Sequence, residues 1–170
     1  KKYKNMSMET VKKINYLKIY KSFLIALIGT IFLAISAKIK IPFYPVPMTM
    51  QTFVVLVIAV GFGWSLGVCT VALYLFEGII GLPVFSGTPE KGIGIVYFTG
   101  TTMGYLIGFI VTVFIAGRFN YNNNIITNFL KLSFATSFIY LFGLFWLGSL
   151  IGWDKPIFKL GAEPFLLAEL

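Results

Sequence analysis

The chain is 170 residues long, 58% hydrophobic and only 12% charged, with a mean hydropathy of +0.87. Soluble globular domains carry about a quarter charged residues, so these proportions exclude that class and describe an integral membrane protein. The sequence has no histidine and one cysteine, Cys69, set among apolar residues, which leaves no material for a transition-metal site or a Ser/His or Cys/His pair and argues against an enzyme.

Residues 1–21 hold seven of the fourteen basic side chains against one acid, Glu9. Val11, Ile14, Leu17 and Tyr20 recur three apart between the lysines, which predicts a basic amphipathic helix at the cytoplasmic membrane surface. The net charge of +8 then reflects the positive-inside tendency rather than a nucleic-acid groove. Residues 22–37 form an apolar first span. A basic start followed by such a run resembles a signal peptide cut near Ala34-Ile35-Ser36, but the further apolar runs downstream favour a retained first helix. Within it Ala26, Thr30 and Ala34 recur every four residues, a small-residue stripe suited to docking a helix, either internal or a partner's.

Residues 38–52, KIKIPFYPVPMTMQT, read as a stiff extended cap, because the residue before each of Pro42, Pro45 and Pro47 is driven out of the helical region. Residues 53–82 are then apolar apart from Glu77 and a Gly61-Phe62-Gly63-Trp64 interruption. A single helix of that length would reach about 45 Å against a hydrocarbon core of about 30 Å. The stretch is therefore read as a hairpin with an unusually short first arm, residues 48–60, and one long tilted helix is the alternative.

Residues 82–108 carry Pro83, Gly87, Pro89, Gly92 and Gly94. At about 1 kcal/mol per Gly and about 3 per Pro that composition predicts a loop. Beyond it Gly100, Gly104 and Gly108 would put three bare positions on one helical face for close packing. Irregular backbone beside a membrane persists only where it is buried in protein or lines a cavity, which predicts a ligand cavity here. Residues 97–118 form the next span, 119–128 a polar turn, 129–153 another span, and 154–161 a break with Pro156. Residues 163–170 begin a last helix that eight residues cannot complete. The expected fold is an all-α integral membrane protein, a six-helix transmembrane bundle with a short second span, structured outer loops and an incomplete last helix. Residues 1–21 would be the surface segment and 22–170 one transmembrane substrate-binding domain.

Polar groups able to meet a ligand gather at the cap and the loop. Gln51, Thr49 and Thr52 stand where the cap enters the hairpin, and Ser86, Gly87, Thr99, Thr101 and Thr102 offer hydroxyls and backbone N–H groups. Phe43, Tyr44, Phe85, Tyr97 and Tyr105 could wall an apolar ring or simply pack the core. Glu77 in its apolar run faces either the bundle interior or the interface.

Three blocks, PVPMTMQT at 45–52, LYLFEGIIGLPVFSG at 73–87 and TGTTMGYLIGF at 99–109, resemble in order the signature blocks of the BioY family, the biotin-binding S-components of energy-coupling factor (ECF) transporters. The resemblance implies a six-helix S-component in the cell (plasma) membrane, with both termini cytoplasmic and no catalysis or cofactor of its own. It implies biotin in an outward-facing pocket covered by the loops after the first, third and fifth helices. It further implies docking to a membrane scaffold subunit and two ATPase subunits through small residues of the first helix, here Ala26, Thr30 and Ala34. An acidic residue is implied near the start of the last helix, where this chain has Glu169; the lysine implied three residues on falls past Leu170. On this reading Gln51, Phe85, Ser86, Gly87, Thr99, Tyr105 and Glu169 bind biotin, and Lys91, Lys159 or that further lysine meets its carboxylate. No G-x-x-x-x-G-K-[ST] motif occurs, so ATP hydrolysis would fall to the partners. A solitary uniporter working without the ATPase module is the alternative.

Overall fold

Apolar runs in lipid can satisfy their own backbone only as helices or closed barrels. The computed structural model, which describes residues 8–41, 44–122 and 124–165, is helical through each of these runs. The order is α1 (Met8–Lys38), β1 (Lys40–Ile41), β2 (Met48–Thr49), α2 (Gln51–Ile79), a 3-10 helix (Gly94–Thr99), α3 (Met103–Ala116), α4 (Ile125–Ile151) and α5 (Ile157–Gly161). Tyr16–Lys38, Gln51–Ile79 and Ile125–Ile151 are long and apolar enough to cross a membrane.

α1 runs unbroken through position 21, so the basic segment and the first span are one helix. Its buried residues Ala26, Gly29, Thr30, Leu33, Ser36 and Ala37 recur three or four apart, while Phe23, Ile28, Ile31, Phe32 and Ile35 lie exposed on the other side. The buried face rests on α2: a Cβ at Gly29 would lie 3.1 Å from the Phe62 ring. Thr30 donates to Glu77 Oε1 at 2.9 Å, which assigns that isolated carboxylate an interior partner.

α2 is a hairpin. Gly63 takes φ 74 and ψ 175, a conformation open to glycine and strained for a side chain, and the helix breaks there. As a result Gln51 Nε2 lies 2.8 Å from the Tyr74 hydroxyl, two residues that a straight helix would hold about 35 Å apart. The first arm, 51–62, is only about 18 Å long. The hairpin tip sits against the end of α3, where Trp64 N donates to Gly117 O at 3.1 Å and a Cβ at Gly117 would lie 2.6 Å from Trp64 Cα. The Arg118 guanidinium closes this end, 4.7 Å from the Trp64 ring and 4.1 Å from that of Phe114.

α3 begins at Met103 rather than at 97, because residues 94–99 wind into a 3-10 turn that Gly100 ends in extended conformation. Only Gly104 and Gly108 of the expected glycine row therefore face α4. A Cβ at Gly108 would lie 2.6 Å from Ile139 Cα, and one at Gly104 would lie 3.0 Å from Gly143 Cα. Thr112 adds a hydrogen bond to Ala135 O at 2.9 Å. α4 starts four residues before the expected boundary because Asn124 caps it, its side chain accepting from Thr127 N at 3.0 Å.

Of the proline-rich segment, residues 40–41 and 48–49 are extended and lie side by side, β1 pairing antiparallel with β2 through Lys40–Thr49 and Ile41–Met48. This ribbon shares one end of the bundle with the 80–102 loop and the 152–165 segment. Thr101 donates to Pro45 O at 3.0 Å, Trp146 to Gly100 O at 2.9 Å and Tyr105 to Gly161 O at 2.7 Å.

Candidate functional site

Beneath these three loops lies a cavity of about 760 Å³. The ribbon and the start of α2 supply Met48, Thr49, Gln51, Phe53 and Leu56; the 80–102 loop supplies Ser86, Tyr97 and Thr102. α3 and α4 add Tyr105, Leu106, Phe109, Thr136 and Tyr140, and the last described turns add Phe158 and Phe165. Among the described residues no acid and no base lines it. Burial pushes the Tyr97 phenol above its ordinary range, so that hydroxyl stays protonated and able to donate. The wall is thus mainly apolar and aromatic; some of its neutral donors and acceptors lie on α4, with Thr136 and Ser133, and the rest along the edge formed by the ribbon and the 80–102 loop.

That edge is built by a directed chain of hydrogen bonds. Tyr74 is fully buried and donates to Val84 O at 3.0 Å. A carbonyl only accepts, so the Tyr74 oxygen is left to accept from Gln51 Nε2. Gln51 Oε1 then faces Thr49, whose hydroxyl donates to it at 3.2 Å. Two residues past Val84, Ser86 is 5% exposed and its hydroxyl has no hydrogen-bond partner among the described residues. Buried polar groups are nearly always paired, and one left unpaired in a cavity wall marks a place where a ligand can bond.

The loop bearing Ser86 is held by two lysines that sequence reasoning left out of the site. Lys38 Nζ donates to Phe85 O at 2.9 Å and Thr88 O at 3.0 Å; Lys40 Nζ donates to Ser86 O at 3.0 Å and lies 4.0 Å from the Glu90 carboxylate. The ion pair is exposed and adds little, whereas the carbonyl contacts fix the backbone.

Of the residues expected to bind, Gln51, Ser86 and Tyr105 come together on the cavity, and three others do not line it. Phe85 is 1% exposed and packs inside the core, stacked 4.7 Å from Tyr97 and edge-on 5.3 Å from Tyr74; its ring fills the space that Gly78 leaves. Gly87 is buried under the Lys91 side chain, and Thr99 is exposed with its hydroxyl turned to Val96 O of its own turn. Glu169 lies outside the described residues. Lys91 and Lys159 do not line the cavity either. The expected docking stripe also needs correction. Ala26 and Thr30 are buried against α2 and Ala34 is half-buried, so this face is an internal helix contact. Tyr74 was missed altogether, although a tyrosine in an apolar helix signals a hydroxyl in need of a partner.

Compared with known proteins, the profile of the BioY family matches residues 6–170. The chain belongs to the BioY family. A family relative from Pyrococcus horikoshii is 34% identical over 137 residues, covering 81% of this chain and 80% of its own. The biotin transporter BioY of Thermotoga maritima is 34% identical over 144 residues, 84% of this chain and 83% of the relative. The fold matches a solved S-component for biotin from an ECF-type ABC transporter with a TM-score of 0.72, over 97% of this chain and 86% of that one at 22% identity.

Proposed function

We propose that this chain is the membrane-embedded biotin-binding subunit of an uptake system, not an enzyme, and that it captures biotin in the cavity under the three loops. The observation that carries the reading is the buried Ser86 hydroxyl, unpartnered among the described residues, on the same cavity as the Gln51 amide in a mainly apolar, uncharged wall. Biotin's fused ring is compact and largely apolar, and its ureido group donates and accepts side by side, which suits that wall. The transporter names of its relatives point the same way. The carboxylate finds its partner outside the described lining, which holds no cation.

The same proposal places the chain in the cell membrane with its N-terminus in the cytoplasm and its cavity outside. It delivers biotin through an ECF scaffold subunit and two ATPase subunits. Titration of the purified chain with biotin tests the reading. Saturable binding is expected, and Ser86→Ala should weaken it by up to about tenfold, the worth of one neutral hydrogen bond. No saturable heat with the wild-type chain at millimolar biotin would overturn the assignment.

A further inference from the structure

Gln51 is the only glutamine in the sequence, and its carboxamide is held from both sides. Thr49 donates to Oε1, Tyr74 accepts from Nε2, and each amide atom keeps one unused hydrogen-bonding position in a residue that lines the cavity. Left alone, a carboxamide can turn over and exchange its donor and acceptor edges. Here the orientation is dictated from outside the site, because the Tyr74 proton goes to Val84 O and only the NH2 edge of Gln51 can then face that oxygen. Val84 belongs to the loop that carries Ser86, so the same hydroxyl ties the amide on the short arm of α2 to that loop.

We propose that Tyr74, which does not touch the cavity, is the positioning residue of the site. Its hydroxyl selects which edge of the Gln51 amide is presented and sets the placement of that amide relative to Ser86. A ligand must therefore offer an acceptor and a donor in a fixed order, which makes Tyr74 a determinant of specificity through two other residues. The inference rests on the cavity being the biotin site, and its test separates the two.

Chain labelled with ¹⁵N-glutamine gives one side-chain NH2 signal pair, from Gln51, readable in the full chain in detergent without any ligand. Tyr74→Phe keeps the ring and removes the hydroxyl; it should shift that pair, and it should weaken biotin about tenfold. In a Gln51→Ala background the same change should cost less than about twofold, because the hydroxyl acts through the amide. A role in packing alone would leave the pair in place and weaken biotin equally in both backgrounds. An unmoved pair in Tyr74→Phe, or additive losses, overturns the relay. A pair that responds to Tyr74→Phe but not to saturating biotin leaves the relay standing and removes biotin from this cavity. Should Tyr74→Phe not fold, Thr49→Val at the half-buried far end of the chain of bonds is measured the same way, and an unmoved pair there overturns the proposal.

Discussion

The cavity wall carries no carboxylate, ammonium or guanidinium group among the described residues, and this decides how the site responds to pH. Burial pushes the Tyr97 phenol further above its ordinary range, and the sequence has no histidine, the residue that ordinarily titrates between about pH 6 and 8. The dissociation constant for biotin should accordingly stay flat across that range in calorimetric titrations. A tenfold drift would identify a titrating group beyond the described lining, and Glu169 would be the first to substitute. At this scale Gln51 and Ser86 were legible because a polar side chain beside prolines or glycines in an apolar chain has few other uses. Phe85 and Tyr74 were not. The ring of Phe85 is claimed by the gap at Gly78, and the partner of Tyr74 stands 23 residues away until the hairpin closes.

Between elements, backbone proximity sets the cost of substitution. Gly104 and Gly108 let α3 approach α4 so closely that a Cβ would meet main-chain atoms, and overpacking of this kind costs about 1 to 3 kcal/mol in soluble cores. Gly104→Leu should lower the thermal unfolding temperature in detergent clearly. Gly100→Ala should do so far less, since its Cβ would only come within 3.2 Å of Tyr97 O in the same turn. Equal stability of Gly104→Leu and wild type would remove the close contact. Spacing alone put all three glycines on one face, because it carries no information about where a helix starts. The start of α4 was missed for a related reason. Three asparagines, Asn122 to Asn124, stand together, and which of them caps is settled by the packing of the helix that follows.

For the molecule as a whole, the hairpin was legible from length against bilayer thickness, and the gathering of three loops at one end follows from it. Orientation rests on the seven lysines of residues 1–21, because the basic residues after the first span are split against the positive-inside tendency. Labelling resolves it. In a Cys69→Ser background, which removes the exposed native thiol, Tyr44→Cys sits at a position 91% exposed beside the cavity end, and Asn122→Cys is exposed at the opposite end. A membrane-impermeant maleimide should modify Tyr44→Cys in intact cells and Asn122→Cys only after permeabilisation. The reverse pattern would invert the molecule in its membrane.

The lysine grips on the loop carbonyls have a mechanical consequence. The segment bearing Ser86 follows α2 in the chain but hangs from the end of α1, through Lys38 and Lys40, whereas Gln51 belongs to the hairpin. Ser86 is thus tied to the end of α1 by the lysines and to the hairpin by the Tyr74–Val84 bond. The loop is a bridge with one pier in each element, so the packing of α1 on α2 sets where the Ser86 hydroxyl stands in the wall.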